Sequence, residues 1–508
     1  MRFVFLLTFG LFNYACSYAQ VSLQAINLNP GRYVAGFRHY LIHDSSRTYK
    51  RAGDWNNISQ PRPIPVSVWY PSGNVTHKTP GTVMDYLRIL KEEEEWEHLP
   101  DEKILDWFSY SNTPENKLHL KESTRAFNRT SPATGKFPLI VYAPSFQASS
   151  IENFALCEYL ASYGYVVISS PSRGTENKFM GAGTEKDMET QARDIEFLIS
   201  EGSQYPQVDQ NKIATMGFSF GGLSHVLSQM RNAKIKAIVS LDGSIKYQYA
   251  TLKKSPFVSI GKVDVPFLHM AQKDIPAKVL AEDKIDSALN YRFEFYDELL
   301  HSTAFSLKFH NLTHSYFSTL GVLFQSRDRR QDKTNMEIME SYRWMAVYAL
   351  NFLEAYIKED KKAMAFLEND PAMNGIPHGI ISKRQKPAKA KKLTFEDFNN
   401  LALNKSYMGL DVLCDSLLIA DPQFKFEEGK LNNLGLQLLF NRNTSSHGIA
   451  VLNLATRLYP QSANLFDSLG EAYLFTGQKA LARKAFKTSL DLDKQNQNAI
   501  QRLSELDK

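Results

Sequence analysis

The residues Gly217-Phe218-Ser219-Phe220-Gly221, between a short apolar run and a stretch of helical spacing, limit what this chain can fold into more than any other segment. A serine at an abrupt strand-to-helix turn needs small neighbours, because the backbone there is strained and side chains would obstruct it. The string is weak evidence alone, and its surroundings supply the rest. From Phe137 the chain alternates: a buried-type strand at Leu139 to Ala143, a helix at Ile151 to Tyr163 stopped by Gly164, and a strand at Tyr165 to Ser169. A helix around Thr190 to Ile199 and a strand at Ile213 to Met216 lead into the serine turn, and Leu223, Val226, Leu227 and Met230 mark the helix after it. Strands at Ile235 to Leu241, Val265 to Met270 and Phe305 to Phe309 follow, then a long amphipathic helix from Met336 to Tyr356. Such alternation predicts an α/β fold with a mostly parallel sheet, helices on both faces and ligands at the carboxyl ends of the strands.

At 508 residues the chain exceeds one ordinary core and predicts more than one domain. Met1-Arg2, the apolar run Phe3 to Phe12 and Ser17-Tyr18-Ala19 have the form of a secretory signal peptide, with cleavage expected after Ala19. The run is too short for a membrane anchor, and Asn13 and Tyr14 suit a lipidated Cys16 poorly. Export to the periplasm or the extracellular space is expected. The remaining cysteines, Cys157 and Cys414, lie far apart in apolar helical patterns and read as core residues rather than as a disulfide.

Upstream of the alternation, PVSVWY at Pro65 to Tyr70 is a strand entered through Pro61, Pro63 and Pro65, which predicts a sheet edge. Glu92 to Glu95 beside Trp96 read as a helical insertion with one charged face, not as a metal site. The net charge of +5 is concentrated: Lys383, Arg384, Lys386, Lys389, Lys391 and Lys392 fall where no acid occurs between Asp370 and Glu396. That pattern predicts a solvated basic linker and leaves no distributed basic face for nucleic acid.

Beyond the linker the pattern is helical. Phe466, Leu469, Gly470, Tyr473, Gly477, Ala482 and Phe486 match the tetratricopeptide spacing between Ala463 and Asn496, with Lys494 in place of the final proline. A preceding unit carries Leu434, Gly435, Leu438, Gly448, Leu452, Ala455 and Pro460, and a weaker one spans Phe395 to Pro422. Two to three repeats are few for independent stability, so this module is expected to lean on the preceding domain, and its concave face is a candidate surface for a protein partner.

A serine hydroxyl needs a histidine to take its proton, a carboxylate to orient that histidine and two N–H groups to hold the oxyanion. Downstream of Ser219 two acids end strands, Asp242 and Asp274, and the general rule for this chain order favours the later one. His314, in the turn after the last strand, is the expected base, with His310 and His301 as alternatives, while His225 reads as a packing residue. His310 and His314 form an i, i+4 pair without an H-E-x-x-H pattern, so neither metal nor cofactor is expected. The N–H of Phe220 is the first expected oxyanion donor; the second should come from Pro144-Ser145-Phe146-Gln147, which lacks the usual glycines.

FPLIVYAPSFQASSIENFALCEYLASYGYVVISSPSRG at 137–174, GFSFGG at 217–222 and Leu241-Asp242 together resemble the plasma-type platelet-activating factor acetylhydrolases and the related dienelactone hydrolase-like esterases of the α/β-hydrolase fold. The resemblance runs from about Gly36 to Phe366 and does not reach the helical repeats. It implies Asp242 rather than Asp274 as the acid, His314 as the base, and Phe146 and Phe220 as oxyanion donors. Phe218 and Pro144-Ser145 depart from the family at positions that shape the pocket. Four segments follow: signal peptide 1–19, α/β-hydrolase domain 20–372, basic linker 373–393 and tetratricopeptide-like domain 394–508. The expected activity is cleavage of a short-acyl lipid or small ester through Ser219. Amide-bond hydrolysis and a catalytically silent scaffold are the alternatives.

Overall fold

A computed structural model describes residues 20–507 apart from 57, 74, 76, 77, 325–329 and 391, so the signal-peptide segment and Lys391 lie outside the described residues. The chain divides into two compact units, the first ending at Lys389 and the second beginning at Ala390.

The first unit is built on ten strands: β1 (Val34–Tyr49), β2 (Gln60–Ser72), β3 (Ala126–Asn128), β4 (Phe137–Ala143), β5 (Val166–Ser169), β6 (Val208–Phe218), β7 (Ile235–Leu241), β8 (Phe267–Ala271), β9 (Ala304–Phe309) and β10 (Ile381–Lys386). They form one sheet in the order β10-β9-β8-β7-β6-β4-β5-β2-β1-β3. The six strands β4 to β9 run parallel, as the alternating pattern predicts. Because strand side chains alternate between faces, Ile140 and Tyr142 of β4 enter one core layer and Leu139 and Val141 enter the other. The helices Phe154–Ser162 and Asn335–Ile357 cover the first layer, while Glu185–Gly202 and Gly221–Arg231 cover the second. Two of these helices start in capping boxes, Thr184 with Asp187 and Thr334 with Glu337, where each side chain satisfies an N–H of the other.

β4 is followed in the chain by β5 on one side and by β6 on the other. The carboxyl ends of β4 and β6 therefore flank the point where strand order reverses, which opens a crevice between the loops that follow them.

Three expectations from the sequence are corrected. β2 is not at the sheet edge; it lies between β1 and β5. Its pairing to β5 covers only Ser67 to Trp69, so Pro61, Pro63 and Pro65 fall where β1 is the sole neighbour and a missing N–H is tolerated. The basic segment 373–393 is not a free linker, since β10 pairs antiparallel with β9 from Ile381 to Lys386. There Lys383 Nζ reaches the Leu367 carbonyl at 2.8 Å, placing a cation at the C-terminus of the helix Lys361–Glu368. Finally, Glu92 to Glu95 do not form a solvated helix face. The helix Val83–Glu93 ends there, Glu93 is buried and Glu95 accepts from the Tyr49 hydroxyl at 2.8 Å.

The second unit is all helical: Phe395–Asn404, Leu410–Ala420, Glu428–Leu439, Ser445–Leu458, Ala463–Phe475, Lys479–Leu492 and Gln497–Leu506. Its glycines permit close helix pairing. A Cβ on Gly435 would lie 2.6 Å from the Leu452 side chain, and one on Gly470 would lie 2.6 Å from Phe486.

Candidate active site

Ser219 follows β6 directly and adopts φ +52°, a left-handed conformation that costs free energy in a non-glycine residue. The glycines around it are required by contact. A Cβ at Gly221 would lie 2.1 Å from the Ala143 carbonyl oxygen, and one at Gly217 would lie 2.4 Å from the Gly221 carbonyl. A second strained turn lies beside the first: Asp242, directly after β7, has φ +37°. The two turns are tied by backbone bonds, Ser219 N–H to the Leu241 carbonyl at 3.1 Å and Ser244 N–H to the Ser219 carbonyl at 2.7 Å.

His314 comes from the turn after β9, and the structure brings it to both residues. Ser219 Oγ lies 2.8 Å from His314 Nε2, and His314 Nδ1 lies 2.5 Å from Asp242 Oδ2. Asp242 is fully buried. Burial opposes its ionisation, yet the hydrogen bond and charge of His314, with the Gln272 N–H, hold its carboxyl below the usual range. Asp274 is elsewhere, about half exposed and paired with Lys308 at 2.5 Å. His310 bonds Ser382 and His301 bonds the Lys389 carbonyl, so neither serves Ser219. His225 is completely buried on the helix after the elbow, and burial pulls its imidazole down to about 3.

The backbone N–H groups beside Ser219 differ in whether they are already paired. In the loop after β4, Pro144 has no N–H, Ser145 N–H donates to Glu152 at 2.9 Å and Gln147 N–H points at the Met180 sulfur at 3.2 Å. Among the described residues the N–H groups of Phe146 and Phe220 donate to no protein acceptor. Both phenylalanines stand together, their rings edge to face at 6.0 Å.

Several supporting residues escape sequence reasoning. The Tyr247 hydroxyl and the Gln272 N–H each donate to Asp242 Oδ1 at 3.0 Å. Buried Asn153 binds the segment after His314, donating to the Phe317 carbonyl at 2.9 Å and accepting from Thr319 N–H at 3.0 Å. Glu152 takes both the N–H and the hydroxyl of Ser145, and burial pushes its carboxyl up to about 7. Glu152 and Asn153 are visible in the sequence only as adjacent polar residues at the start of the predicted helix Ile151 to Tyr163; the others depend on tertiary contact. A cavity of about 320 Å³ reaches from this loop to His314.

Fold and site together define the first unit as a hydrolase of the α/β-hydrolase type. A family model described as the prolyl oligopeptidase family matches residues 153–261, the stretch that holds the elbow and Asp242. No curated protein sequence matches the chain. Among solved structures, a ferulic acid esterase from Streptomyces cinnamoneus is similar at 18% identity and a TM-score of 0.47, covering 70% of this chain and 98% of that one.

Proposed function

We propose that this chain is an exported serine hydrolase that cleaves small carboxylic esters with short acyl groups through an acyl-enzyme on Ser219. The observation that carries the reading is the unbroken line of hydrogen bonds from Ser219 through His314 to Asp242. His314 Nε2 takes the Ser219 proton as Oγ attacks the ester carbonyl, and Asp242 keeps Nδ1 protonated and stabilises the imidazolium. Charge developing on the carbonyl oxygen falls to the N–H groups of Phe146 and Phe220, a contribution of about 3 kcal/mol per donor in comparable sites. Collapse expels the alcohol, which receives the proton from His314. Water then attacks the acyl-enzyme by the same route and frees the acid. The small cavity beside His314 favours a compact ester over a long-chain lipid.

Export rests on the leader-like residues 1–19; separately, among the described residues no helix is long and apolar enough to cross a membrane. The paired helices of the second unit suit tetratricopeptide-like repeats that dock a protein partner. A second reading, hydrolysis of peptide or amide bonds, is favoured by the family model over residues 153–261. A fluorophosphonate probe decides whether Ser219 is a nucleophile. Wild-type protein should be labelled and Ser219→Ala should not, whereas unlabelled wild type would overturn the enzyme reading. Rates on short-chain esters against peptides then separate the two readings.

A further inference from the structure

We propose that the cavity beside His314 receives a polyhydroxylated ring, a sugar, as the alcohol half of the ester. This rests on the esterase reading of Ser219. In that chemistry His314 passes its proton to the departing oxygen, so the half of the substrate lying against His314 is the alcohol. The cavity lining includes His314, Ser315 and Glu152.

Its walls combine carboxylate acceptors with aromatic side chains. Glu152 is 8% exposed and lines the cavity; Ser145 donates one bond to each of its oxygens, and a carboxyl group has capacity for a further donor. Glu94 contributes a second carboxylate, held 3.4 Å from Lys178 Nζ. Phe108 and Tyr110 also line it, Phe108 stacked on Trp96 at 5.7 Å and Tyr110 on Phe324 at 5.0 Å. A sugar ring presents hydroxyls at its rim and C–H groups on its faces, which matches acceptors and aromatic planes in one small cavity.

The alternatives fit less well. An alkyl alcohol would exclude water from Glu152 without replacing its hydrogen bonds. A phosphate-bearing alcohol would face two carboxylates. A hydroxyl can pair with Glu152 in either protonation state, donating to the carboxylate or accepting from the acid. The reaction balances simply. The acyl carbon loses its bond to the sugar oxygen, which takes the His314 proton, and gains one to Ser219 Oγ; water then restores Ser219 and releases the acid.

The test uses full-length protein with methyl xyloside acetate, hexyl acetate and acetylcholine, and with 4-nitrophenyl acetate as an alcohol-independent reference. The sugar ester should show kcat/KM at least about tenfold above the other two alkyl esters. Tyr110→Leu and Glu152→Gln should lower the sugar-ester value about tenfold more than the 4-nitrophenyl acetate value, mainly through KM. Equal rates on the three alcohols overturn the proposal, as does a preference for hexyl acetate or acetylcholine, in protein that still turns over 4-nitrophenyl acetate. Absence of both 4-nitrophenyl acetate turnover and fluorophosphonate labelling instead removes the esterase reading, and the sugar site with it.

Discussion

With none of its surface exposed, Asp242 shares its carboxylate among the His314 ring, the Tyr247 hydroxyl and the Gln272 N–H. Asp274 has only a partly exposed lysine, an interaction of about 0–1 kcal/mol. Replacing Asp242 by Asn removes the charge that stabilises the imidazolium and allows the wrong tautomer, so Asp242→Asn should lower kcat by about 10⁴-fold. Asp274→Asn should stay within a few fold, measured with 4-nitrophenyl acetate. Equal small losses in both variants would remove Asp242 from the site. The sequence order of serine, acid and histidine leaves both aspartates open, since each ends a strand, and the resemblance in Leu241-Asp242 points to the first. The side chains that hold Asp242 could not be read the same way. Tyr247 sits in an unpatterned turn and Gln272 acts through its backbone, so neither leaves a compositional signal.

At the scale of elements, the alternating strands and helices from β4 to β9 are legible because β4, β5 and β8 are buried throughout and β6 and β7 are buried and mostly apolar toward their carboxyl ends. The same physics hides β10. Ile-Ser-Lys-Arg-Gln-Lys is an edge strand with one buried residue, and its cations are held by carbonyls and an aromatic face, so its composition resembles a linker. β1 is hidden likewise by its many exposed and charged positions. This places the usable end of the first unit at Lys389, whose N–H still bonds the Leu300 carbonyl at 2.8 Å. A fragment of residues 20–389 should therefore be soluble and fluorophosphonate-reactive. One cut at 372, the boundary expected from composition, should aggregate or melt well below it, because the β9 edge loses its partner. Matching melting temperatures for the two fragments would show that β10 adds nothing to the sheet.

Across the whole molecule, buried ionisable groups make stability depend on pH in two opposed directions. Burial pushes Glu93, Glu152 and Glu158 up to about 7 from an ordinary 4.5. Burial pulls His225 and His269 down to about 3, and His39 to about 4, from an ordinary 6.5. Between pH 4.5 and 7 the folded glutamates hold protons that the unfolded chain has released, so each loses stability as pH rises. Below pH 6.5 the unfolded histidines gain protons that the folded ones refuse, so each loses stability as pH falls. The two sets oppose one another from about pH 4.5 to 6.5, and above that range only the glutamate loss remains. Glu158 isolates the effect because it accepts from the Tyr86 hydroxyl at 2.8 Å and from Arg125 N–H at 3.0 Å, outside the candidate site. A neutral Glu158→Gln cannot release a proton, so its unfolding free energy at pH 8 relative to pH 5 should exceed the wild-type difference by about 2–3 kcal/mol. Urea denaturation of both proteins at the two pH values measures this. Equal differences would mean that Glu158 titrates in the folded protein as it does in the unfolded chain.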